Sequence, residues 1–473
     1  MDVVEIQAEP LDELARLLEP DRASLFLSTA EMARKAFAGR IVWNINSTAS
    51  GGGVAEMLQT ILAYARGAGV DTRWLVIEGD PQFFEITKAL HNALHGSLVG
   101  RTEFSADDQA HYAKVMRENL AHLRGMIRSG DLVLLHDPQT AGLAAGLKEL
   151  GAHVVWRCHI GRDEDTEVTD LGWEFLREHV LAADAFVFSR PKYVPSWVPS
   201  ERVTIIQPSI DPFATKNAPI DGAEVRRILL EVGLVHNGEP RDAIDFHRRS
   251  GSQGRLRRHA DLVSNYPPPI EAPLVLQVSR WDRLKDMPGV LSGFAAHVAP
   301  VVPDAHLVLA GPDVSGVTDD PEGAEVFAEC RTVWAALPED VRSRCHLASL
   351  PMDDVDENAL MVNALQRHAA IVVQKSLAEG FGLTLTEAMW KARPVVASAV
   401  GGLQDQISDG DEGFLIEDPA DLETFGAKVT RLLVDAELRS AMGRCGQERV
   451  RRDFLGDRHL IQWVGLLRLA VGG

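Results

Sequence analysis

Apolar and polar residues alternate along most of the chain in a way that predicts short buried strands separated by amphipathic helices. The runs GRIVWNIN (39–46) and DLVLLHD (131–137) have the length and β-branched content of strands, whereas VAEMLQTILAYARGAG (54–69) repeats its apolar residues at helical spacing. Strands that alternate with helices predict parallel sheets covered on both faces, hence an α/β protein. Further strands are predicted at 72–79, 152–159, 183–189, 202–209, 273–282, 305–311, 344–350, 369–376 and 393–402.

Two interruptions of this rhythm divide the chain into domains. Residues 1–38 have an acidic, helical pattern, and the stretch from about 211 to 270 is dense in proline and charge, which is typical of a connection between domains. We therefore expect a helical extension (1–38), two doubly wound Rossmann-like domains (39–212 and 213–451) that face a cleft, and an amphipathic helix at 452–471.

Composition and charge restrict the classes of function. The chain is 45% apolar and 25% charged, with a net charge of −20, so it should repel nucleic acid and must gather specific cations around any anionic substrate. No apolar run reaches the ~18 residues that span a bilayer, and from its acidic composition we do not expect the N-terminus to be a signal peptide. The four cysteines are scattered, so we expect reduced thiols in a cytoplasmic protein without a membrane partner.

A glycine-rich turn follows the first predicted strand. In INSTASGGGVAEML the strand ends at Asn46, glycines occupy 51–53, and a helix begins at Val54. Glycine lets the backbone approach a ligand closely, and the free N–H groups of a helix start attract anions. The turn is neither a Walker A loop nor a GxGxxG fingerprint, so it either binds a phosphate or is a turn without a ligand.

Two cations lie at and just beyond the end of the strand predicted at 273–282. Arg280 and Lys285 stand five positions apart in VSRWDRLKDM, at the strand end where α/β sheets bind ligands. In an acidic protein they suit a diphosphate, although taken alone an ordinary solvated pair explains them better.

Two carboxylates flank a third turn, LAEGFGLTLTEAMW. Glu379 lies on the predicted loop, a helix starts near Gly382, and Glu387 lies about one turn inside that helix. The N–H groups around Leu383 and Thr384 would face an anion, and each carboxylate can accept hydrogen bonds from a vicinal diol. Taken singly, Glu379 could cap the helix and Glu387 could be solvated. A nucleotide sugar has this arrangement, because the diol of its ribose and the hydroxyls of its sugar lie on either side of a diphosphate.

These motifs together resemble the retaining glycosyltransferases of family four, which have the GT-B fold. The resemblance rests on the Glu–seven residues–Glu motif, the Arg-x4-Lys pair and the Gly-rich first loop, and it covers the chain from about residue 39 onward. More narrowly, VWNINSTASGGGVAEML, LLHDPQTAGL, WRCHIGRD, FSRPKYVP and IQPSIDPFATKN resemble the trehalose glycosyltransferring synthases, whose relatives include retaining trehalose phosphorylases.

The resemblance implies a donor site in the C-terminal domain and an acceptor site in the N-terminal one, with the tail helix packing back on the latter. It implies that Arg280 and Lys285 stabilise charge on the leaving diphosphate. Glu379 would hold hydroxyls of the donor glucose and Glu387 would hold the ribose. The remaining donor-binding residues would be Gly52, Gly53, Gly380, Phe381, Gly382, Leu383 and Thr384.

Three residues of the N-terminal domain are further candidates. His159 follows a strand and resembles the family's active-site histidine, although a lone histidine is more often a satisfied core residue. Asp137 either holds an acceptor hydroxyl or caps a helix after Pro138, and the two explanations are nearly equal. Asn46, at the end of its strand, is a further candidate for the acceptor site.

The implied reaction is glucosyl transfer with retention from a nucleotide diphosphate-glucose to glucose, forming α,α-trehalose and open to reversal. Retaining glycosidases use a carboxylate nucleophile, whereas the resemblance implies same-face attack in which the leaving oxygen helps deprotonate the acceptor. We expect no tightly bound cofactor and no metal site, although Mg²⁺ can travel with the diphosphate. The DED stretch at 163–165 we assign to solvation or to the structure of the acceptor loop, not to a metal site.

Other functions stay open at this point. A phosphorylase would use orthophosphate and have no ribose for Glu387, a sensor would bind the donor without turnover, and a related transferase would use a different acceptor. The resemblance leaves ADP, UDP and GDP open as the nucleotide. We expect a homodimer.

Overall fold

The computed structural model describes residues 1–49, 53–98, 101–237, 244–248, 251–264, 266–314 and 321–472. It contains two compact units, Met1–Ile210 with Phe454–Gly473, and Asp211–Asp453. Each unit is built on a mostly parallel sheet covered by helices, as the alternation of apolar patterns predicts.

The first unit alternates strands and helices from its first residues. Its strands run almost entirely buried, because both faces are covered and the apolar runs therefore need not alternate with polar residues. The elements are β1 (Asp2–Val4), α1 (Leu11–Arg16), α2 (Pro20–Ala36), β2 (Val42–Asn46), α3 (Gly53–Gly67), β3 (Thr72–Val76), α4 (Pro81–Leu94), α5 (Ala106–Leu123), β4 (Leu132–His136), α6 (Ala144–Glu149), β5 (His153–Cys158), α7 (Glu167–Leu181), β6 (Ala185–Phe188) and β7 (Val203–Ile205).

The strand order of this sheet is β1-β3-β2-β4-β5-β6-β7 within the described residues. Neighbours pair in parallel except at the edge, where β1 runs antiparallel to β3. The expectation of purely helical structure in 1–38 was therefore wrong for Asp2–Val4, whose three residues are too few to show a strand pattern. The chain reverses its winding between β2 and β4, and ligands bind at such switch points, beyond the carboxyl ends of the strands.

The second unit repeats the architecture. The stretch 211–270, which we predicted to be a connection, contains a helix, a two-stranded hairpin and an edge strand. The elements are α8 (Gly222–Glu231), β8 (Asp245–His247), β9 (Gln253–Arg255), β10 (Asp261–Val263), β11 (Leu274–Val278), α9 (Met287–Gly293), β12 (His306–Pro312), α10 (Pro321–Ala336), α11 (Glu339–Arg342), β13 (Cys345–Leu350), α12 (Val355–His368), β14 (Ile371–Gln374), α13 (Leu383–Trp390), β15 (Val395–Ser398), α14 (Leu403–Gln406), β16 (Phe414–Ile416), α15 (Leu422–Val434) and α16 (Ala436–Asp453).

Its described strands follow the order β10-β13-β12-β11-β14-β15-β16, parallel except for β10. The parallel part has the 3-2-1-4-5-6 order of a dinucleotide-binding fold, and its switch point lies between β11 and β14. The two strands that lead into the predicted donor motifs are therefore neighbours.

The last helix, α17 (Gly456–Gly472), belongs to the first unit. It starts four residues later than predicted, because α16 continues to Asp453. It packs on α2 and α3, and both oxygens of the buried Asp457 accept hydrogen bonds from Arg22, at 2.5 and 2.7 Å. Among the helices within the described ranges, none combines the length and apolarity needed to cross a membrane.

Candidate active site

The switch point of the second unit brings together two residues that lie 94 positions apart. Nζ of Lys285, in the short turn after β11, donates to Oε2 of Glu379, in the loop after β14, at 2.7 Å. The two side chains are only 15% and 12% exposed. Ser376 Oγ donates to the same carboxylate oxygen at 3.3 Å. The pair thus forms a shielded, charge-assisted contact at the edge where such sheets bind ligands.

Arg280 also follows β11, but its side chain pairs with Asp282 and not with Glu379. Its guanidinium is about half exposed and donates to Asp282 at 3.1 Å. An exposed pair of this kind contributes at most about 1 kcal/mol, so Arg280 can exchange this partner for an anionic ligand at little cost.

The backbone under Lys285 is fixed by buried polar residues. Gln277 Nε2 donates to the carbonyl oxygen of Lys285 at 2.8 Å. The next residue, Asp286, has a left-handed backbone with φ of 48°, and its carboxylate pairs with the buried Lys375 and accepts from the Gly289 N–H. Sequence reasoning did not identify Gln277, Lys375 or Asp286; an amide and a lysine inside apolar strands were the available signals.

The loop before α13 is shaped by Gly382. Its φ of +86° is a left-handed conformation, and a Cβ there would lie 2.4 Å from Leu403 Cδ2. Gln406 Nε2 donates to the carbonyl oxygen of Phe381 at 2.5 Å, and the Gly402 N–H donates to that of Gly380 at 3.2 Å. Both carbonyl groups are thus already hydrogen-bonded. The N–H groups of Leu383 and Thr384 lie at the N-terminus of α13 and have no acceptor within the helix, so they are available to an anion.

Glu387 is buried, which rules out the explanation as a solvated helical residue. It is 4% exposed, and Lys216 Nζ lies 3.6 Å from its Oε1. Below it, the buried Lys391 donates to the Glu387 carbonyl oxygen, to Asn217 and to Gln366, at 3.2, 3.0 and 2.7 Å. Burial lowers the pKa of Lys391 to about 7, and the charge of Glu387 opposes that change.

A histidine pair lies at the carboxyl ends of β4 and β5, next to the switch point of the first unit. His136 Nε2 lies 3.1 Å from Oδ1 of Asn44, and His136 Nδ1 lies 3.1 Å from His159 Nε2, with the rings stacked at 5.4 Å. Because an amide oxygen only accepts, His136 donates from Nε2 and accepts at Nδ1, so His159 donates from Nε2 and keeps the Nδ1 lone pair.

Burial keeps both histidines neutral. It lowers the pKa of His136 to about 3, and it holds the pKa of His159 well below its ordinary value, in each case with help from the Arg157 charge. His159 therefore offers a neutral acceptor nitrogen that suits a sugar hydroxyl. Asn44 and His136 were missed by sequence reasoning, although both are polar residues in apolar strands.

Asp137 positions His159. Its backbone is left-handed with φ of 63°, and its Oδ1 accepts the His159 backbone N–H at 2.7 Å. The alternative of a helix cap was wrong, because the short helical turn Ala141–Leu143 follows Thr140 without a side-chain cap. Burial raises the pKa of Asp137 to about 7, opposed by the His159 N–H and the Arg157 charge.

The remaining candidates of the first unit are less informative. Asn46 is buried, with its oxygen accepting from Trp74 Nε1 at 2.8 Å and its nitrogen donating to the Thr48 carbonyl oxygen at 2.6 Å, so its acceptor role stays a prediction. Gly53 is the exposed first residue of α3, and Gly52 lies outside the described residues. Asp163 of the DED stretch pairs with Arg190.

Comparisons with known families match both units. Residues 44–195 match the family described as trehalose synthase, N-terminal domain, and residues 264–449 match the glycosyl transferases group 1. The chain is 33% identical to the trehalose synthase of Pyrococcus horikoshii over 98% of its own length and 97% of the relative's. It is 35% identical to that of Rubrobacter xylanophilus over 93% and 92%. It is 27% identical to the trehalose phosphorylase of Pleurotus sajor-caju, over 78% of this chain and 50% of that one.

Solved structures give the same fold. A trehalose-6-phosphate synthase, OtsA, superposes with a TM-score of 0.68 at 14% identity, covering 91% of this chain and 99% of that chain. A second, described as trehalose-6-phosphate from E. coli bound with UDP-2-fluoro glucose, gives 0.67 at 13% identity over 91% and 99%. The fold is GT-B, and the activity is trehalose-related glycosyl transfer. The chain belongs to the trehalose synthase family of glycosyltransferases.

Proposed function

We propose that the chain transfers an α-glucosyl group from a nucleotide diphosphate-glucose to glucose, forming α,α-trehalose with retention. The observation that carries the proposal is the shielded Lys285–Glu379 pair, at 2.7 Å, beside the start of α13. A cation, a sugar-binding carboxylate and free helix N–H groups at one switch point suit a glycosyl diphosphate.

In this proposal Lys285 and the N–H groups of Leu383 and Thr384 bind the diphosphate. Negative charge develops on the leaving oxygen as the glycosidic bond breaks, so a preorganised cation lowers the barrier. Arg280 leaves Asp282 and adds a second cation. Glu379 accepts hydrogen bonds from hydroxyls of the glucosyl group. Its hydrogen bond with Lys285 fixes the positions of these two side chains relative to each other.

Glu387 holds the ribose, as the resemblance implies. Its carboxylate is buried and paired with Lys216, so it is a fixed acceptor that a ribose diol can meet. One solved structure of the same fold is described as bound with UDP-2-fluoro glucose, which supports the donor class at the level of the fold.

The transfer needs no carboxylate nucleophile in this proposal. The acceptor hydroxyl attacks the anomeric carbon from the face that the diphosphate leaves, and its proton passes to the leaving oxygen, so linkage and donor are both α. Neutral His159 would accept a hydrogen bond from a sugar hydroxyl through Nδ1. A Mg²⁺ ion can accompany the diphosphate as part of the substrate.

The phosphorylase is the second candidate, because trehalose phosphorylase relatives match 78% to 86% of the chain. With orthophosphate in place of the nucleotide, Glu387 would have no ribose to hold. The role of Glu387 therefore separates the two candidates.

The experiment supplies the purified chain with glucose and ADP-, UDP- or GDP-glucose, and in parallel with trehalose and orthophosphate. We expect trehalose from at least one nucleotide donor, and a rise of about 10- to 100-fold in the donor KM of Glu387→Gln, since hydrogen bonds to a charged group are worth about 1.5–3 kcal/mol. Glu423→Gln, an exposed glutamate in the first turn of α15, is the control. Phosphorolysis alone, unaffected by Glu387→Gln, would assign the chain to the phosphorylases.

A further inference from the structure

A cavity of about 70 Å³ lies inside the first unit, between the sheet and helices α2, α3 and α17. One buried water needs ~10–15 Å³ by the same kind of measure, so the cavity is several times larger than a single water site. It exists because the surrounding segments present alanine, at Ala30 and Ala33 of α2, Ala65 of α3, and Ala68 just beyond. The cavity has room for a small organic molecule.

The sheet side of the cavity carries donors that lack acceptors. Asn44 and Arg157 line it and are 2% and 0% exposed. Within the part of the chain that the structure describes, Nδ2 of Asn44 and Nε of Arg157 have no hydrogen-bond partner. Buried polar groups are nearly always satisfied, so each of these two N–H groups calls for an acceptor in the cavity.

Arg157 also carries a buried positive charge. Its other nitrogens meet neutral partners, His459 Nε2 at 2.9 Å and the Ile206 carbonyl oxygen at 3.3 Å, and its guanidinium lies 5.4 Å from the Trp463 ring centre. Burial lowers its pKa to about 9, which leaves it charged at neutral pH. Asp137 acts on it through its charge, but no carboxylate among the described residues forms an ion pair with it. Buried charges are almost always paired, so the acceptor expected here is an anion.

The rest of the cavity wall is mostly apolar, with Thr29, Thr72 and His136 as its other polar residues. Phe26 of α2, Phe37 just after the end of α2, and Leu62 of α3 line it, all nearly fully buried. Ala30, Ala65, Ala68 and Ile461 are half-buried, so this side of the cavity lies close to solvent. An inorganic anion would satisfy the donors and leave this apolar space unfilled.

We propose that this cavity binds a small monocarboxylate with a short apolar tail. The carboxylate accepts from Nε of Arg157 and Nδ2 of Asn44, and the tail fills the space under the two phenylalanines. The site is distinct from the residues assigned to the donor, and nothing in the transfer reaction requires it.

The test is calorimetric titration of the full chain with hexanoate, with 1-hexanol and acetate as probes that lack the charge or the tail. We expect hexanoate to bind with a Kd of about 1 mM or tighter, and both other probes to bind at least tenfold more weakly. No heat from hexanoate, or equal binding of hexanol, overturns the proposal.

Two matched variants locate the binding. Ala33→Leu fills the cavity and should weaken hexanoate binding at least tenfold, whereas Ala36→Leu, on the same helix but outside the lining, should leave it unchanged. Arg157→Met should abolish the preference for hexanoate over hexanol. If Arg157→Met does not fold, the Ala33→Leu comparison decides alone. Unchanged binding in Ala33→Leu, or a crystal soaked in hexanoate that shows only ordered waters in the cavity, contradicts the proposal.

Discussion

At the scale of single residues, the sequence identified the groups that carry chemistry better than the groups that hold them. Lys285 and Glu379 could be predicted because both follow recognisable apolar strands, where α/β sheets bind ligands. Their contact could not, because 94 residues separate them and only the order of the strands makes them neighbours. Lys216, which meets Glu387, was missed for the same reason.

Lys285→Met tests the electrostatic part of the proposed mechanism. Removing a preorganised cation from a developing charge should lower kcat by about 10²- to 10³-fold, with a smaller effect on acceptor KM. Steady-state kinetics with the nucleotide sugar measures it. Arg283→Met removes a cation from the same turn, one that pairs with the exposed Glu325 and Glu329, and should change kcat by less than about threefold. Equal losses in the two variants would show that Lys285 has no special role.

Asp137→Asn tests the buried carboxyl group behind His159. Because burial raises the pKa of Asp137 to about 7, the folded protein holds a proton that the unfolded chain releases near pH 4. As the pH rises from about 4 to 7, Asp137 ionises in the unfolded chain but stays protonated in the folded one. The free energy of unfolding therefore falls by about 1 to 4 kcal/mol, and it stays lower above pH 7. The buried histidines act in the opposite direction at acid pH, so the difference between variant and parent is the quantity to measure.

The expected result is that Asp137→Asn becomes more stable relative to the parent as pH rises from 4 to 8 in urea unfolding. The amide oxygen can still accept the His159 N–H, so the loop geometry should be kept. A difference that does not change with pH would mean that Asp137 ionises normally in the folded chain.

At the scale of elements, the long apolar runs were predictable, and the short β7 lies within the strand predicted at 202–209, whereas β1, β10 and β16 were not predicted. The strands at 42–46, 132–136 and 274–278 lie within the predicted runs, because full burial on both faces leaves an uninterrupted apolar signal. The edge strands β1, β10 and β16 have three residues each, and pairing with a neighbour rather than their own pattern defines them. The turn before α13 was predictable from its two glycines.

Gly382→Ala tests whether that turn needs glycine for more than its backbone angle. Gly410 is a matched control, since it has φ of +91° but nothing within 4 Å of an added Cβ. Gly410→Ala should cost about 1 kcal/mol of folding free energy from the left-handed conformation alone. Gly382→Ala should cost more, because its Cβ would press on Leu403 and approach Glu379 Cγ at 3.3 Å, and it should weaken donor binding. Denaturant unfolding measures the loss of folding free energy, and the donor KM measures the loss of donor binding. Equal effects of the two variants would show that the turn needs Gly382 only for its backbone angle.

At the scale of the whole molecule, periodicity predicted two sheets but not the strand orders that create the switch points. Those orders depend on which strands pair across long loops, and such pairing leaves no local pattern. The C-terminal helix shows the same limit: its amphipathic pattern was visible, but contacts with distant residues hold it in the first unit, among them the Arg22–Asp457 pair, 435 residues apart.

Asp457→Asn tests that anchor. The carboxylate is fully buried and Arg22 is 24% exposed, so breaking the pair should destabilise the first unit by about 2–4 kcal/mol. Glu31→Gln, which breaks exposed pairs with Arg34 and Lys35 on α2, should destabilise the chain much less, because solvent screens exposed ion pairs. Urea unfolding followed by tryptophan fluorescence compares them, and a loss for Asp457→Asn no larger than that of Glu31→Gln would show that the pair does not hold α17.

A ¹H NMR spectrum of the products formed from glucose and the accepted nucleotide-glucose tests the proposed glucosyl transfer. We predict release of the nucleoside diphosphate together with one new anomeric signal of small splitting, because the two glucosyl rings of α,α-trehalose are equivalent and both α-linked. Two anomeric signals, a large splitting that marks a β-linkage, or glucose alone from hydrolysis would contradict it.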